Sequence, residues 1–205
     1  RSGLGSQAEI NSDALTVALR YEVNDNISVY GGLRGVVADG NVQLFNGSGG
    51  GATRYELDAE GTTEIGYMLG AAYERTDIAL RVALTYYSAT DHTFTGTEIS
   101  AFGTEAATFE TTIPQQLHLE AQTGVAEGTL VFGSIRWVDW SEFEIRPPRF
   151  NALGIAAGDP SGSALESYDD DTITYTLGGA RRLTDDLAIL ASISHEASTG
   201  GFTGN

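Results

Sequence analysis

The sequence repeats a two-strand unit in which apolar and polar residues alternate. In DALTVALRYEVNDNISVYGGLRGVV, residues 13–37, two alternating runs flank a short polar turn. Similar units recur three more times, with turns near positions 25, 76, 128 and 184, about fifty residues apart. Because alternation with a period of two is the signature of a strand with one apolar face, we predict four hairpins, or eight antiparallel strands.

The two ends of these hairpins differ in length. The alternating segments run for about nine to eleven residues, which is what a tilted strand needs to cross a bilayer. Long connections are predicted between the hairpins, at residues 39–62, 88–112 and 141–171. Structureless loops of this length are uncommon in compact soluble domains. Tight turns on one rim and long loops on the other are typical of barrels in the bacterial outer membrane.

The chemistry of the two strand faces favours a membrane barrel over a soluble protein. Leu15, Val17 and Leu19 share one face of the first strand, and small or charged residues such as Arg20 share the other. Aromatic residues gather towards strand ends, as expected at a membrane interface. Alternation alone also fits a soluble β-sandwich, in which apolar faces pack against a second sheet. We therefore predict an all-β fold, an antiparallel transmembrane β-barrel, with a soluble β-sandwich binding module as the alternative.

Composition excludes several classes of function. The formal net charge of −17 opposes nucleic-acid binding, which requires a basic surface. No apolar stretch reaches the roughly 18 to 20 residues of a membrane helix. The three histidines have no metal-ligand spacing, and no nucleophile or phosphate-binding motif is present. We predict neither an enzyme nor a cofactor or metal site.

Several motifs, in a shared order, resemble the FadL/TodX family of outer-membrane transporters. TTIPQQLHLEAQTGV places a proline, Pro114, before a strand, and the next strand ends in a Trp-Ser-x-Phe element at residues 140–143. GYMLGAAYE with LTYYSATDHTFTGT is similar to the family's preceding hairpin, and DDTITYTLGGARRLTDDLAILASISHE is similar to the one that follows. The resemblance covers most of residues 13–199.

This resemblance implies a barrel of about fourteen strands in the outer membrane of a bacterium. Residues 1–205 are then expected to form a single barrel domain, an internal portion without the N-terminal hatch and the C-terminal closing strand. The implied function is passive uptake of hydrophobic small molecules, with long-chain fatty acids first and aromatic hydrocarbons second. Membrane lipid and lipopolysaccharide are the expected partners. A structural or adhesive barrel that transports nothing is the remaining alternative.

Charged residues on the predicted inward face are the candidate substrate-binding residues. By the alternation, six of them point into the lumen: Arg20, Arg34, Arg81, His118, Glu120 and Arg136. Arginine suits a ligand carboxylate because its guanidinium matches it in a bidentate geometry. With a three-residue turn at residues 127–129, Glu120 would lie opposite Arg136 and form an ion pair with it. Each candidate also has a purely structural interpretation, as charge kept away from lipid.

Overall fold

The computed structural model describes residues 6–46 and 53–197, and most of these residues are in strands. Within this part of the chain there are twelve strands and one α-helix, α1 (Pro148–Ala156). The strands are β1 (Gln7–Glu22), β2 (Ile27–Asn46), β3 (Thr53–Arg75), β4 (Leu80–Tyr87), β5 (Thr90–Ser100), β6 (Gly103–Ile113), β7 (Gln116–Ala126), β8 (Thr129–Val138), β9 (Glu144–Ile145), β10 (Glu166–Ser167), β11 (Thr172–Arg182) and β12 (Ala188–Glu196). No helix in the described ranges is long and apolar enough to cross a membrane.

Eight of these strands form the predicted hairpin array. They follow one another in the sheet in the order β1, β2, β3, β4, β7, β8, β11, β12, and every neighbouring pair is antiparallel. Each short turn joins two neighbours; at the first turn, the Val23 N–H donates to the Ile27 carbonyl at 2.8 Å. The array predicted from the alternation is therefore confirmed.

One face of this sheet is apolar and uncovered. Leu19, Leu15 and Ile193 are 81%, 76% and 73% exposed. On the opposite face Val36 and Ala83 are fully buried. A β-sandwich would bury the apolar face against a second sheet, so that alternative is wrong. The exposed apolar face is the lipid-facing surface of a transmembrane barrel wall.

Strands β2 and β3 continue well beyond the predicted strand ends. Residues 39–62 were expected to form a loop, but Gly40 pairs with Ala59, and Asn46 pairs with Thr53. The glycine-rich residues 47–52 lie outside the described part of the chain. A bulge between Ala38 and Gly40 shifts the register. The extra residue on β3 changes which positions face inward, so that Tyr55, Leu57 and Ala59 are the buried ones above the bulge.

The second predicted loop, residues 88–112, is a hairpin. β5 pairs with β6 along its whole length, and residues 96–99 of β5 also pair with residues 56–59 of β3. Alternation within the segment is the cause, because Thr90, His92 and Phe94 form one buried face. The third predicted loop contains α1 and the small sheet of β9 and β10. We call everything above the bulge, together with the β5–β6 hairpin and residues 139–168, the outer region.

Candidate functional site

Two of the predicted lumen arginines share one carboxylate. Arg20 Nη2 lies 2.6 Å from Glu74 Oε2, and Arg81 Nε lies 2.9 Å from Glu74 Oε1. Glu74 is on β3, directly opposite Arg81 on β4. Glu74 is not among the six predicted lumen residues, although the alternation along β3 places it on the same inward face. Because this carboxylate neutralises much of their charge, Arg20 and Arg81 form a structural cluster with Glu74.

Arg34 has an aromatic partner. Its guanidinium carbon lies 5.7 Å from the centre of the Tyr87 ring, within the range of a cation–π interaction. Arg34 pairs with Gly66 on β3, and Tyr87 pairs with Met68, one step away on the same face. The predicted inward position of Arg34 is consistent with this placement.

The predicted register of the β7–β8 hairpin is wrong. Glu120 pairs with Ser134, and Arg136 pairs with His118. The turn contains two residues, since Ala126 pairs with Thr129, and a bulge follows between Gly124 and Ala126. Gly128 adopts φ +64°, a left-handed conformation that permits the tighter turn. Turn and bulge together displace the register by two residues, so the side chains keep their predicted faces.

Arg136 instead contacts a neutral side chain. Its Nε donates to Gln116 Oε1 at 2.8 Å, two residues before His118 on β7. His118 lies between Thr85 on β4 and Arg136 on β8. Among the six predicted residues, Arg20 and Arg81 share Glu74, and Arg34 contacts Tyr87. Arg81 and Glu120 line one cavity of about 270 Å³, and His118 pairs with Arg136. Direct contact of any of them with a substrate stays a prediction.

A cavity of about 370 Å³ lies in the outer region, above the inward face of the wall. Its walls come from β1, the upper parts of β2 and β3, the β5–β6 hairpin and residues 140–168. Most lining side chains are apolar, and many are aromatic: Ile10, Val42, Leu57, Phe94, Phe109, Ile113, Trp140, Phe143, Ile145 and Tyr168. A concave, apolar space of this size can hold a small hydrophobic molecule. We call it the outer cavity.

The Trp-Ser-x-Phe element supplies one wall of the outer cavity. The Trp140 ring centre lies 5.4 Å from that of Phe143 and 5.3 Å from that of Tyr168. On the facing hairpin, the Phe94 and Phe109 rings stack with their centres 5.4 Å apart. Trp140 and Phe143, which in the sequence only carry the family resemblance, line the cavity in the structure.

Glu98 holds the outer region together. Its carboxylate accepts hydrogen bonds from the Tyr55 hydroxyl at 2.8 Å and from the backbone N–H groups of Arg149 and Phe150 at 3.0 and 3.1 Å. These two N–H groups lie in the first turn of α1 and have no acceptor within the helix. A negative charge at this end also interacts favourably with the helix dipole. Burial, together with Glu98, raises the pKa of the Tyr55 hydroxyl. One side chain of β5 therefore fixes β3 and α1 to the hairpin.

The charged groups that line the outer cavity are acidic. Asp39 accepts a hydrogen bond from the Asn11 amide at 3.1 Å, and Glu166 accepts one from the Tyr168 hydroxyl at 2.7 Å. The bond to Glu166 raises the pKa of Tyr168 to about 12, so its phenol stays protonated at neutral pH. No group of three or more metal-binding side chains is found in the described ranges.

The chain matches proteins of known family and fold. The family model described as outer membrane protein transport protein (OMPP1/FadL/TodX) matches residues 2–200. A Pseudomonas aeruginosa FadL homologue is 16% identical, with a TM-score of 0.75, over 95% of this chain and 51% of that one.

Two transporters of aromatic compounds are also similar in structure. The Ralstonia pickettii toluene transporter TbuX is 16% identical, with a TM-score of 0.65, over 95% of this chain and 58% of that one. The Pseudomonas putida toluene transporter TodX is 17% identical, with a TM-score of 0.63, over 94% of this chain and 56% of that one. The chain thus spans little more than half the length of these structures. The curated proteins contain no significant match.

Proposed function

Because the chain belongs to the outer membrane protein transport family (OMPP1/FadL/TodX), we propose that it forms part of the wall of a channel for passive uptake of hydrophobic small molecules. The family places it in the bacterial outer membrane. Its members are transport proteins, and we propose no catalytic activity for this chain.

The outer cavity is the observation that carries the proposal. It is lined mainly by apolar and aromatic side chains, so a hydrophobic molecule gains free energy by leaving water there. It also lies next to the inward face of the wall. Ala38 lines the cavity, and Val36 and Arg34 follow on the same face of β2 towards the short turns. A ligand held in the outer cavity is therefore next to the inner side of the barrel.

Two substrate classes are compatible with this proposal. The family resemblance implies long-chain fatty acids first, and this stays a prediction. Aromatic hydrocarbons are the second class, and two of the similar solved structures are toluene transporters. The assignment of residues 1–205 to one barrel domain also stays a prediction.

The outer face supports contact with lipid. Leu15 and Leu19 on β1 and Ile193 on β12, at the two ends of the sheet, are apolar and uncovered, which suits contact with lipid chains. Lipopolysaccharide is proposed as a second partner at the outer rim. The net charge of −17 would repel an anionic lipid unless divalent cations lay between the two.

Uptake by liposomes tests the proposed function. We expect liposomes that contain the full-length protein to take up labelled toluene or labelled oleate faster than empty liposomes. Ala59→Phe fills part of the outer cavity and should slow this uptake, because Ala59 is buried and lines it. Ala106→Phe, on the exposed face of β6, is the matched control and should have no effect. Equal rates with and without the protein would refute transport.

A further inference from the structure

Thr111 lines the outer cavity, and the polar residue His92 lies beside it on the neighbouring strand. His92 on β5 and Thr111 on β6 are direct cross-strand partners, so their side chains project from the same face of the hairpin. His92 is 0% exposed and Thr111 is 6% exposed. Thr111 lines the cavity, as do Phe94 and Phe109, the next pair along the hairpin.

Both residues have hydrogen-bonding atoms that are not used. Thr111 Oγ1 and His92 Nδ1 are buried and have no partner among the described residues. The other ring nitrogen, Nε2, lies 3.0 Å from Thr90 Oγ1. Leaving such atoms unpaired costs free energy, and buried polar groups are normally satisfied by protein, water or ligand. Thr111 is thus a polar point next to the apolar Phe94 and Phe109 side chains of the cavity wall.

The surrounding charges disfavour an anion at this point. The charged side chains that line the cavity are Asp39 and Glu166, both acidic. Burial lowers the pKa of His92, while Glu64 and Asp91 act in the opposite direction. The ring is therefore neutral at pH 7 and supplies no positive charge. Along the inner face of β2 the nearest arginine is Arg34, four residues or about 13 Å from Ala38.

We propose that Thr111 and His92 form a recognition point for a single uncharged polar group on an otherwise hydrophobic ligand, such as the hydroxyl of a phenol or an alcohol. This inference rests on the proposed function and narrows its substrate class. A hydroxyl can both donate and accept, so it matches the threonine hydroxyl and either form of the neutral imidazole. A fatty-acid carboxylate is disfavoured, because no cation among the described residues of the cavity wall compensates its charge.

Three ligands with the same ring separate the possibilities. We would measure the binding of toluene, 4-methylphenol and 4-methylbenzoate to the full-length protein in detergent at pH 7, by isothermal titration. We expect 4-methylphenol to bind about three to ten times more tightly than toluene, which corresponds to one net hydrogen bond. The anion 4-methylbenzoate should bind most weakly.

Thr111→Val removes the hydroxyl and keeps the shape of the side chain. It should abolish most of the preference for 4-methylphenol over toluene. The affinity for toluene should stay unchanged, and this unchanged value shows that the cavity is intact. Thr108→Val is the matched control, since Thr108 lies on the exposed face of the same strand. It should change neither affinity.

The outcomes are distinguishable. If toluene binds but 4-methylphenol gains nothing, or if Thr111→Val leaves its preference intact, water alone satisfies these atoms and the inference is wrong. Tightest binding of 4-methylbenzoate would overturn it as well. If none of the three binds and uptake by liposomes is absent, the proposed function itself fails.

Discussion

Tyr30 lies across Gly70 on the inward face of the wall. The two residues are direct partners on β2 and β3, and the Tyr30 hydroxyl is 2.6 Å from Thr85 Oγ1 on β4. A Cβ atom at position 70 would come within 2.2 Å of the Tyr30 ring. The missing side chain of one strand therefore lets an aromatic ring bridge three strands.

Gly70→Ala should destabilise the wall. The added methyl group displaces the Tyr30 ring, and because the ring is held at its hydroxyl, the bond to Thr85 is lost as well. We expect the free energy of unfolding in urea to fall by about 1–3 kcal/mol. Gly35→Ala is the control, since a Cβ there meets nothing within 4 Å. Equal stability of the two variants would contradict this interpretation.

Glu74→Gln should weaken the cluster with Arg20 and Arg81. These side chains are partly exposed, so solvent screens the two ion pairs, and we expect a loss of about 1 kcal/mol in the free energy of unfolding. The loss should shrink at high salt. Glu22→Gln tests the position of the charge, because Glu22 is 75% exposed and lies 3.9 Å from Arg20. A larger effect from Glu22→Gln would show that Glu74 is not the principal partner.

Glu98→Ala should release α1 from the hairpin. It removes the acceptor of three hydrogen bonds and leaves the Arg149 and Phe150 N–H groups unpaired, so the local opening free energy should fall by about 2–3 kcal/mol. Trypsin cleavage after Arg149 reports this opening. Glu110→Ala, on the exposed face of β6, is the control. Unchanged cleavage in Glu98→Ala would argue against a role for Glu98 in anchoring α1.

The docking of the β5–β6 hairpin should weaken in mild acid. Burial lowers the pKa of His92 below its ordinary value of 6.5, so the unfolded hairpin takes up a proton more readily than the folded one. The stability of the hairpin is therefore complete above about pH 6.5 and falls as the pH drops towards the lowered pKa. The slope cannot exceed about 1.4 kcal/mol per pH unit, because one proton is involved.

Hydrogen exchange of the β5 and β6 amides between pH 7 and 5.5, corrected for the intrinsic rate, measures this loss. His92→Gln should remove the pH dependence in that interval, whereas His195→Gln, on exposed β12, should leave it unchanged. A pH dependence that persists in His92→Gln would assign it to other groups.

The wall was predictable because its signal is local and repeated. Leu15, Val17 and Leu19 identify a strand and its lipid-facing side at once, and the same rule places Arg20 and Arg81 inward. The register of the β7–β8 hairpin was not predictable in this way. A two-residue turn with a bulge and a three-residue turn preserve the same parity, so alternation cannot distinguish Ser134 from Arg136 as the partner of Glu120.

Most of the structure of the outer region could not be predicted from the sequence, for a different reason. Its long connections are rich in glycine, threonine and acidic residues, which favour loops in a sequence-based interpretation. Phe94 and Phe109 form strands there because they pack against each other and against β2 and β3, and such distant contacts are not visible in a local window. Glu98 carries no local signal of its partnership with α1, which lies about fifty residues further along the chain.

The bulge between Ala38 and Gly40 divides β2 and β3 into two parts whose apolar side chains face opposite sides of the sheet. Between the short turns and the bulge, the apolar side chains of these strands face outward. Above the bulge they face inward, as in a water-soluble protein. The residues of β2 and β3 that line the outer cavity and those that face lipid therefore lie on separate stretches of the same two strands. Substitutions above the bulge can therefore change the lining of the outer cavity, and with it the proposed ligand, while the membrane-spanning stretch stays unchanged.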